Sequence, residues 1–172
     1  NPPILIDGAH NPSASSVLAD SLRNNFLNTY RRIILIMGIM ADKDIKGIMA
    51  PLLPLASEII FTAPAYERAA QPETLARHAA ALGFTNVHLA ETVKDAIGMA
   101  TNCLAFGTPS LTLHPRGRYD SQPWGGAGWG GDSEPRTMDS GLILITGSFY
   151  TIGEAKEALG AKGILSRLRE TL

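Results

Sequence analysis

The sequence predicts an α/β domain built on a mostly parallel sheet flanked by helices, and three observations carry that prediction. Short apolar runs of strand length alternate with segments of helical period through most of the chain, the order that βαβ units produce. The 172 residues, 45% of them apolar and 18% charged, are enough to bury one sizeable core, so a single globular domain is expected. Polar turn-forming residues cluster just after the apolar runs, where strand-to-helix turns belong.

Taken in order, residues 4–6 read as the first strand, and Ala14, Leu18, Leu22 and Phe26 mark one apolar face of a helix after it. Residues 33–37 form a second strand. Residues 44–56 are harder to place, because Pro51 and Pro54 would break or kink a helix there. Residues 58–62 read as a third strand, followed by a helix on Leu75, Ala79 and Leu82. A fourth strand at 86–89 precedes a helix on Val93, Ile97, Ala100 and Leu104. Residues 142–146 are the fifth strand, Ile152, Ala155 and Leu159 mark the next helix, and Ile164, Leu165, Leu168 and Leu172 suggest a closing one.

Residues 107–141 depart from this pattern. They are rich in Gly, Pro, Ser and Asp with no apolar period, and read as a flexible insertion in a helix-to-strand connection. Gly126, Gly128 and Gly131 inside it satisfy G-x-G-x-x-G. A dinucleotide fingerprint must follow a strand and open a helix, whereas Pro123 and Trp124 precede these glycines and Pro135 follows them. The loop reading is preferred. No G-x-x-x-x-G-K-[ST] phosphate loop occurs in the chain.

Fifteen Lys and Arg against sixteen Asp and Glu give a net charge of −1, which supplies no footprint for nucleic acid. The single cysteine, Cys103, lies at helical apolar spacing and reads as a small core residue in a reducing, cytoplasmic setting. No apolar run of about 18 residues suggests a membrane span. A chain that starts at Asn1 rather than Met reads as part of a longer polypeptide.

In an open parallel sheet, ligands bind outside the carboxyl ends of the strands, and three polar clusters fall there. In DGAHNP (residues 7–12), Asp7 and Gly8 can make the turn, Asn11 can cap the next helix and Pro12 can take its first position. His10 has no such structural duty, and an imidazole three residues from an acid at a strand end is a candidate catalytic group. In GIMADKD (38–44), Asp42, Lys43 and Asp44 are either a solvated loop with a cap or a loop whose lysine offers a point charge to a carboxylate or phosphate. In TGSFYTIGEA (146–155), Gly147 permits a tight turn and Ser148 can cap a helix whose first amides then point toward the crevice. Phe149 and Tyr150 next to them are either core packing or site residues. Three such turns on one sheet imply a shared crevice.

LIDGAHNP, MGIMADKD and ITGSFYTIGEA, in this order and separation, resemble the C-terminal domain of folylpolyglutamate synthases and bifunctional dihydrofolate synthases, members of the Mur ligase superfamily. The resemblance covers nearly all of the chain outside 107–141. It implies a Rossmann-like three-layer sandwich of the Mur ligase C-terminal type, acting with an N-terminal domain that carries the P-loop and most Mg²⁺ ligands. The implied reaction uses ATP to phosphorylate a folate-linked carboxylate, after which the amine of L-glutamate attacks the acyl phosphate. By the same resemblance Asp7, His10 and Asn11 lie on the nucleotide side, with His10 also near the reacting groups. Lys43, Ser148 and Tyr150 would hold the glutamate. Two other readings remain: a peptidoglycan-precursor Mur ligase, and a non-catalytic module that binds a nucleotide or protein.

Overall fold

The computed structural model describes residues 2–106 and 141–160. The expected insertion, apart from Gly141, and the expected closing helix lie outside the described residues. Strands β1 (Ile4–Ile6), β2 (Arg32–Met37), β3 (Glu58–Thr62), β4 (His88–Ala90) and β5 (Gly141–Thr146) form one sheet in the order β1-β5-β2-β3-β4, with every pairing parallel. Helices α1 (Pro12–Asn25), α2 (Ile45–Met49), α3 (Pro72–Ala81), α4 (Val93–Phe106) and α5 (Phe149–Ala158) connect and cover it. This is the expected α/β architecture.

The apolar runs read as strands because both their faces are covered. On β2, Ile33, Leu35 and Met37 face one core with Ile59, Phe61 and Leu144, and α1 and α3 close it with Leu18, Leu22 and Leu75. Ile34 and Ile36 face the other core with Ile60, Ile143 and Ile145, covered by Val93, Ala96 and Ala100 of α4 and Ala155 of α5. The side-chain alternation of a strand thus divides each run between two layers of helix.

Residues 44–56 break where their prolines suggest, and one strand boundary differs from expectation. The helix after β2 stops at Met49, and a 3-10 turn at Leu53–Leu55 follows, because Pro51 and Pro54 cannot continue an α-helical hydrogen-bond ladder. Strand β4 starts two residues later than the apolar pattern suggests. Asn86 is exposed, whereas His88 is buried against Glu58, with Nε2 3.1 Å from Oε2. Cys103 is buried as expected.

Strand order positions the site. The chain steps from β1 through β2 and β3 to β4, then returns to insert β5 between β1 and β2. The turns after β1, β5 and β2 therefore become neighbours at one end of the sheet, at the place where the direction of winding reverses.

Candidate functional site

Each of the three turns ends in a helix cap. Asn11 Oδ1 accepts from the Ala14 amide (2.9 Å) ahead of Pro12, Asp44 Oδ1 accepts from the Gly47 amide (2.9 Å), and Ser148 Oγ accepts from the Thr151 amide (3.1 Å). These bonds satisfy amides that a helix leaves unpaired in its first turn. Asp7 makes a local turn, its Oδ1 accepting from the Ala9 amide at 2.8 Å.

The turns are also tied to one another through β5. The Gly147 amide and the Thr146 hydroxyl both donate to the Ala9 carbonyl, at 3.1 and 3.3 Å, which fixes the first turn. The Gly38 amide donates to the Thr146 carbonyl (3.2 Å), and the Thr151 hydroxyl donates to the Gly38 carbonyl (3.0 Å), which fixes the second. Gly147 has φ +110°, and a Cβ there would lie 2.7 Å from the Gly38 oxygen. Two backbones meet here with no space for a side chain.

This rim surrounds a crevice of about 260 Å³ lined by His10, Met40, Lys43, Arg68 and residues 147–150. His10 Nδ1 lies 2.8 Å from the Gly8 carbonyl oxygen. A carbonyl only accepts, so Nδ1 carries the proton, and Nε2 has no partner among the described residues. The imidazole packs on Phe149 with ring centroids 4.8 Å apart. Phe149 is 63% exposed, so one side of this aromatic pair faces outward.

Two other lining residues, Lys43 and Arg68, share Asp42 Oδ2, from Lys43 Nζ at 3.5 Å and from the Arg68 guanidinium at 3.2 Å. Desolvation works against the Asp42 charge, but a backbone hydrogen bond and the two cations outweigh it and hold the carboxyl below its ordinary value. Tyr66 and Tyr150 stack at 3.9 Å and 11°, and Arg68 lies 5.9 Å from the Tyr66 ring centre. A hydrogen bond with Tyr66, then desolvation, raises the Tyr150 phenol above its usual value.

The structure thus gathers His10, Lys43, Ser148 and Tyr150 around one crevice, while Asp7 and Asn11 sit behind it in the turn. Ser148 is 2% exposed, and its hydroxyl lies 2.8 Å from Thr151 Oγ1. Since the Thr151 proton goes to Gly38, the Ser148 proton goes to Thr151. What Ser148 offers the crevice is the start of α5, whose opening amides at Phe149 and Tyr150 precede the helical ladder.

Tyr66 and Arg68 were not among the expected site residues. They follow β3, and the rule that polar residues after a strand's carboxyl end are informative applies equally to APAYERAA (63–70). Among the described residues, no three His, Cys, Asp or Glu side chains are grouped as a metal site, and no helix is long and apolar enough to cross a membrane.

Among the described residues this is a doubly wound α/β domain whose strand ends bring helix amides, an imidazole and two cations to one crevice, the arrangement in which open parallel sheets place their sites. Residues 1–108 match the family model of the Mur ligase, glutamate ligase domain, and the chain belongs to that family. It is 32% identical over 162 residues to the dihydrofolate synthase/folylpolyglutamate synthase of Mycobacterium tuberculosis, covering 92% of this chain and 28% of that protein. It is 31% identical over 100 residues to a probable bifunctional folylpolyglutamate synthase/dihydropteroate synthase of Halobacterium salinarum, covering 58% of this chain and 12% of that one. The solved structure of Mycobacterium tuberculosis folylpolyglutamate synthase complexed with ADP matches with a TM-score of 0.70 and 28% identity, over 92% of this chain and 30% of that chain. The chain spans less than a third of the length of these relatives.

Proposed function

We propose that this chain is the C-terminal domain of an ATP-dependent ligase that adds glutamate to folates, working in the cytoplasm against an N-terminal P-loop domain of the same polypeptide. The observation that carries this reading is the hydrogen-bonded rim that brings His10, Lys43 and the start of α5 to one crevice. The relatives named for folylpolyglutamate synthesis, one of them solved with ADP, support the choice of substrates. At about 260 Å³ the crevice is smaller than the roughly 300–1,000 Å³ of small-molecule pockets. That size suits one wall of a site that a second domain completes.

In this reaction ATP transfers its γ-phosphoryl group to a folate-linked carboxylate, releasing ADP. The glutamate amine then attacks the acyl phosphate, and inorganic phosphate leaves as the amide forms. Acyl phosphates hydrolyse readily, so closing the domain over the reacting groups both excludes water and positions the amine. His10 Nε2 faces that reaction, held in one tautomer by Gly8 and in one orientation by Phe149. Lys43 and the α5 amides hold carboxylate groups of the incoming glutamate, with Ser148 building that helix end and Tyr150 forming its aromatic edge. Asp7 and Asn11 shape the turn on the nucleotide side. Mg²⁺ would take its protein ligands mainly from the N-terminal domain.

The test is an assay of the full-length parent with ATP, Mg²⁺, L-glutamate and a reduced folate, alongside dihydropteroate and peptidoglycan-precursor acceptors. ATP-dependent glutamyl-folate formation is the expected result. Turnover only with a peptidoglycan precursor, or none with any acceptor, would overturn the reading.

A further inference from the structure

Arg68 is the one guanidinium lining the crevice among the described residues, and the fold fixes it more firmly than its exposed position suggests. Its carbonyl accepts from the Ala41 amide (2.8 Å), and two residues on the Ala70 amide donates to the Ile39 carbonyl (2.9 Å). Met40 and Ala69 thereby form an antiparallel bridge. Farther along the same loop, the Ala65 amide donates to the Glu154 carboxylate of α5 at 2.6 Å. The loop carrying Arg68 is thus tied to the β2 turn on one side and to α5 on the other. The guanidinium lies by Tyr66, which is itself stacked on Tyr150.

From this geometry we infer that Arg68, together with Lys43, forms a two-cation seat for a carboxylate of the acceptor amino acid, and that Arg68 determines selection of a dicarboxylic acceptor. The inference rests on the ligase reading above and extends it to a residue that reading does not use. The internal evidence is Asp42. One oxygen of its carboxylate already lies 3.5 Å from Lys43 Nζ and 3.2 Å from the Arg68 guanidinium, so both cations can reach a single carboxylate. A substrate carboxylate arriving in the crevice meets the same pair and competes with Asp42 for it. Guanidinium presents a planar fork that matches a carboxylate and cannot lose its charge near neutrality, which suits it to telling a carboxylate from an isosteric amide.

The experiment compares glutamate with glutamine as acceptor in the full-length parent, for wild type, Arg68→Gln, Arg68→Lys and Asp42→Asn. Losing one charge-assisted contact should raise the KM for glutamate about 10- to 100-fold in Arg68→Gln, with kcat and the KM for ATP little changed. The preference for glutamate over glutamine should fall by a similar factor, and Arg68→Lys should recover part of it. Asp42→Asn removes the internal competitor, so its KM for glutamate should hold or fall. If the Asp42–Arg68 pair were only structural, both variants would raise KM together, and that result overturns the inference. So does an Arg68→Gln enzyme that keeps wild-type KM and preference while wild type favours glutamate; this outcome leaves the ligase reading intact. A wild type that uses glutamine as readily as glutamate overturns the inference alone, whereas one that forms no glutamyl-folate overturns the ligase reading on which it rests.

Discussion

At the amino end of the sheet, Glu58 opens β3, His88 opens β4 and Arg32 opens β2; at the carboxyl end stand His10, Lys43 and Arg68. The first group is turned inward. Glu58 and His88 are buried against each other at 3.1 Å, and the Arg32 guanidinium reaches the Cys103 carbonyl at 3.5 Å. The second group is partly exposed, and His10 keeps a ring nitrogen without a partner among the described residues. One sheet thus uses polar side chains in two ways: the Glu58–His88 pair is buried and mutually satisfied within the packing, and Lys43 and Arg68 sit on backbone-anchored loops that open outward at the crevice. Burial separates these two pairs, since both kinds are ion-paired.

The largest expected effect breaks the rim itself. Gly147→Ala places a Cβ at φ +110° against the Gly38 carbonyl and should cost about 3 kcal/mol of stability, read by chemical denaturation, with loss of activity as the three turns separate. His88→Ala attacks the other end. Removing one member of a buried hydrogen-bonded pair should destabilise by about 2–3 kcal/mol, while turnover per folded molecule stays at the wild-type level.

Asn11 sharpens the comparison at smaller scale. Asn11→Ala loses the α1 cap, worth about 1 kcal/mol, whereas Asn11→Asp keeps it. A rise in the KM for ATP in the Asp variant would come from a lost amide donor at the nucleotide, and an unchanged KM would leave Asn11 as a cap. The smallest effect is on pH. Burial, followed by the nearby Glu58 charge, raises the Cys103 thiol above its ordinary value of 9.0, with Arg32 opposing. The unfolded chain therefore ionises this thiol first, so its contribution to stability is present below about pH 9 and declines as pH rises beyond it. Cys103→Ala should flatten that decline in denaturation curves recorded from pH 8 to 10.

Much of this was legible in the sequence, for identifiable reasons. Strands β2, β3 and β5 are covered on both faces, so they read as unbroken apolar runs, and the three turns were visible because Asn11, Asp44 and Ser148 are cap residues beside their helices. The start of β4 was not visible, because His88 is buried through a partner 30 positions away. Arg68 and Tyr66 were missed for a related reason. Their loop reads as surface, and only the Met40–Ala69 bridge and the Glu154 tether bring it to the crevice. The engagement of the Ser148 hydroxyl by Thr151 likewise depends on Gly38, a residue on another strand's turn. Local pattern reported local structure and left tertiary pairing unread.

The central claim is that the carboxyl-end turns carry function and not merely the fold. Its most direct test is the glutamyl-folate turnover of His10→Ala in the full-length parent, measured beside its unfolding midpoint. The account predicts a fall of about 100-fold or more in turnover, with a midpoint close to that of wild type. Wild-type turnover in this variant would contradict it and leave His10 as a turn residue.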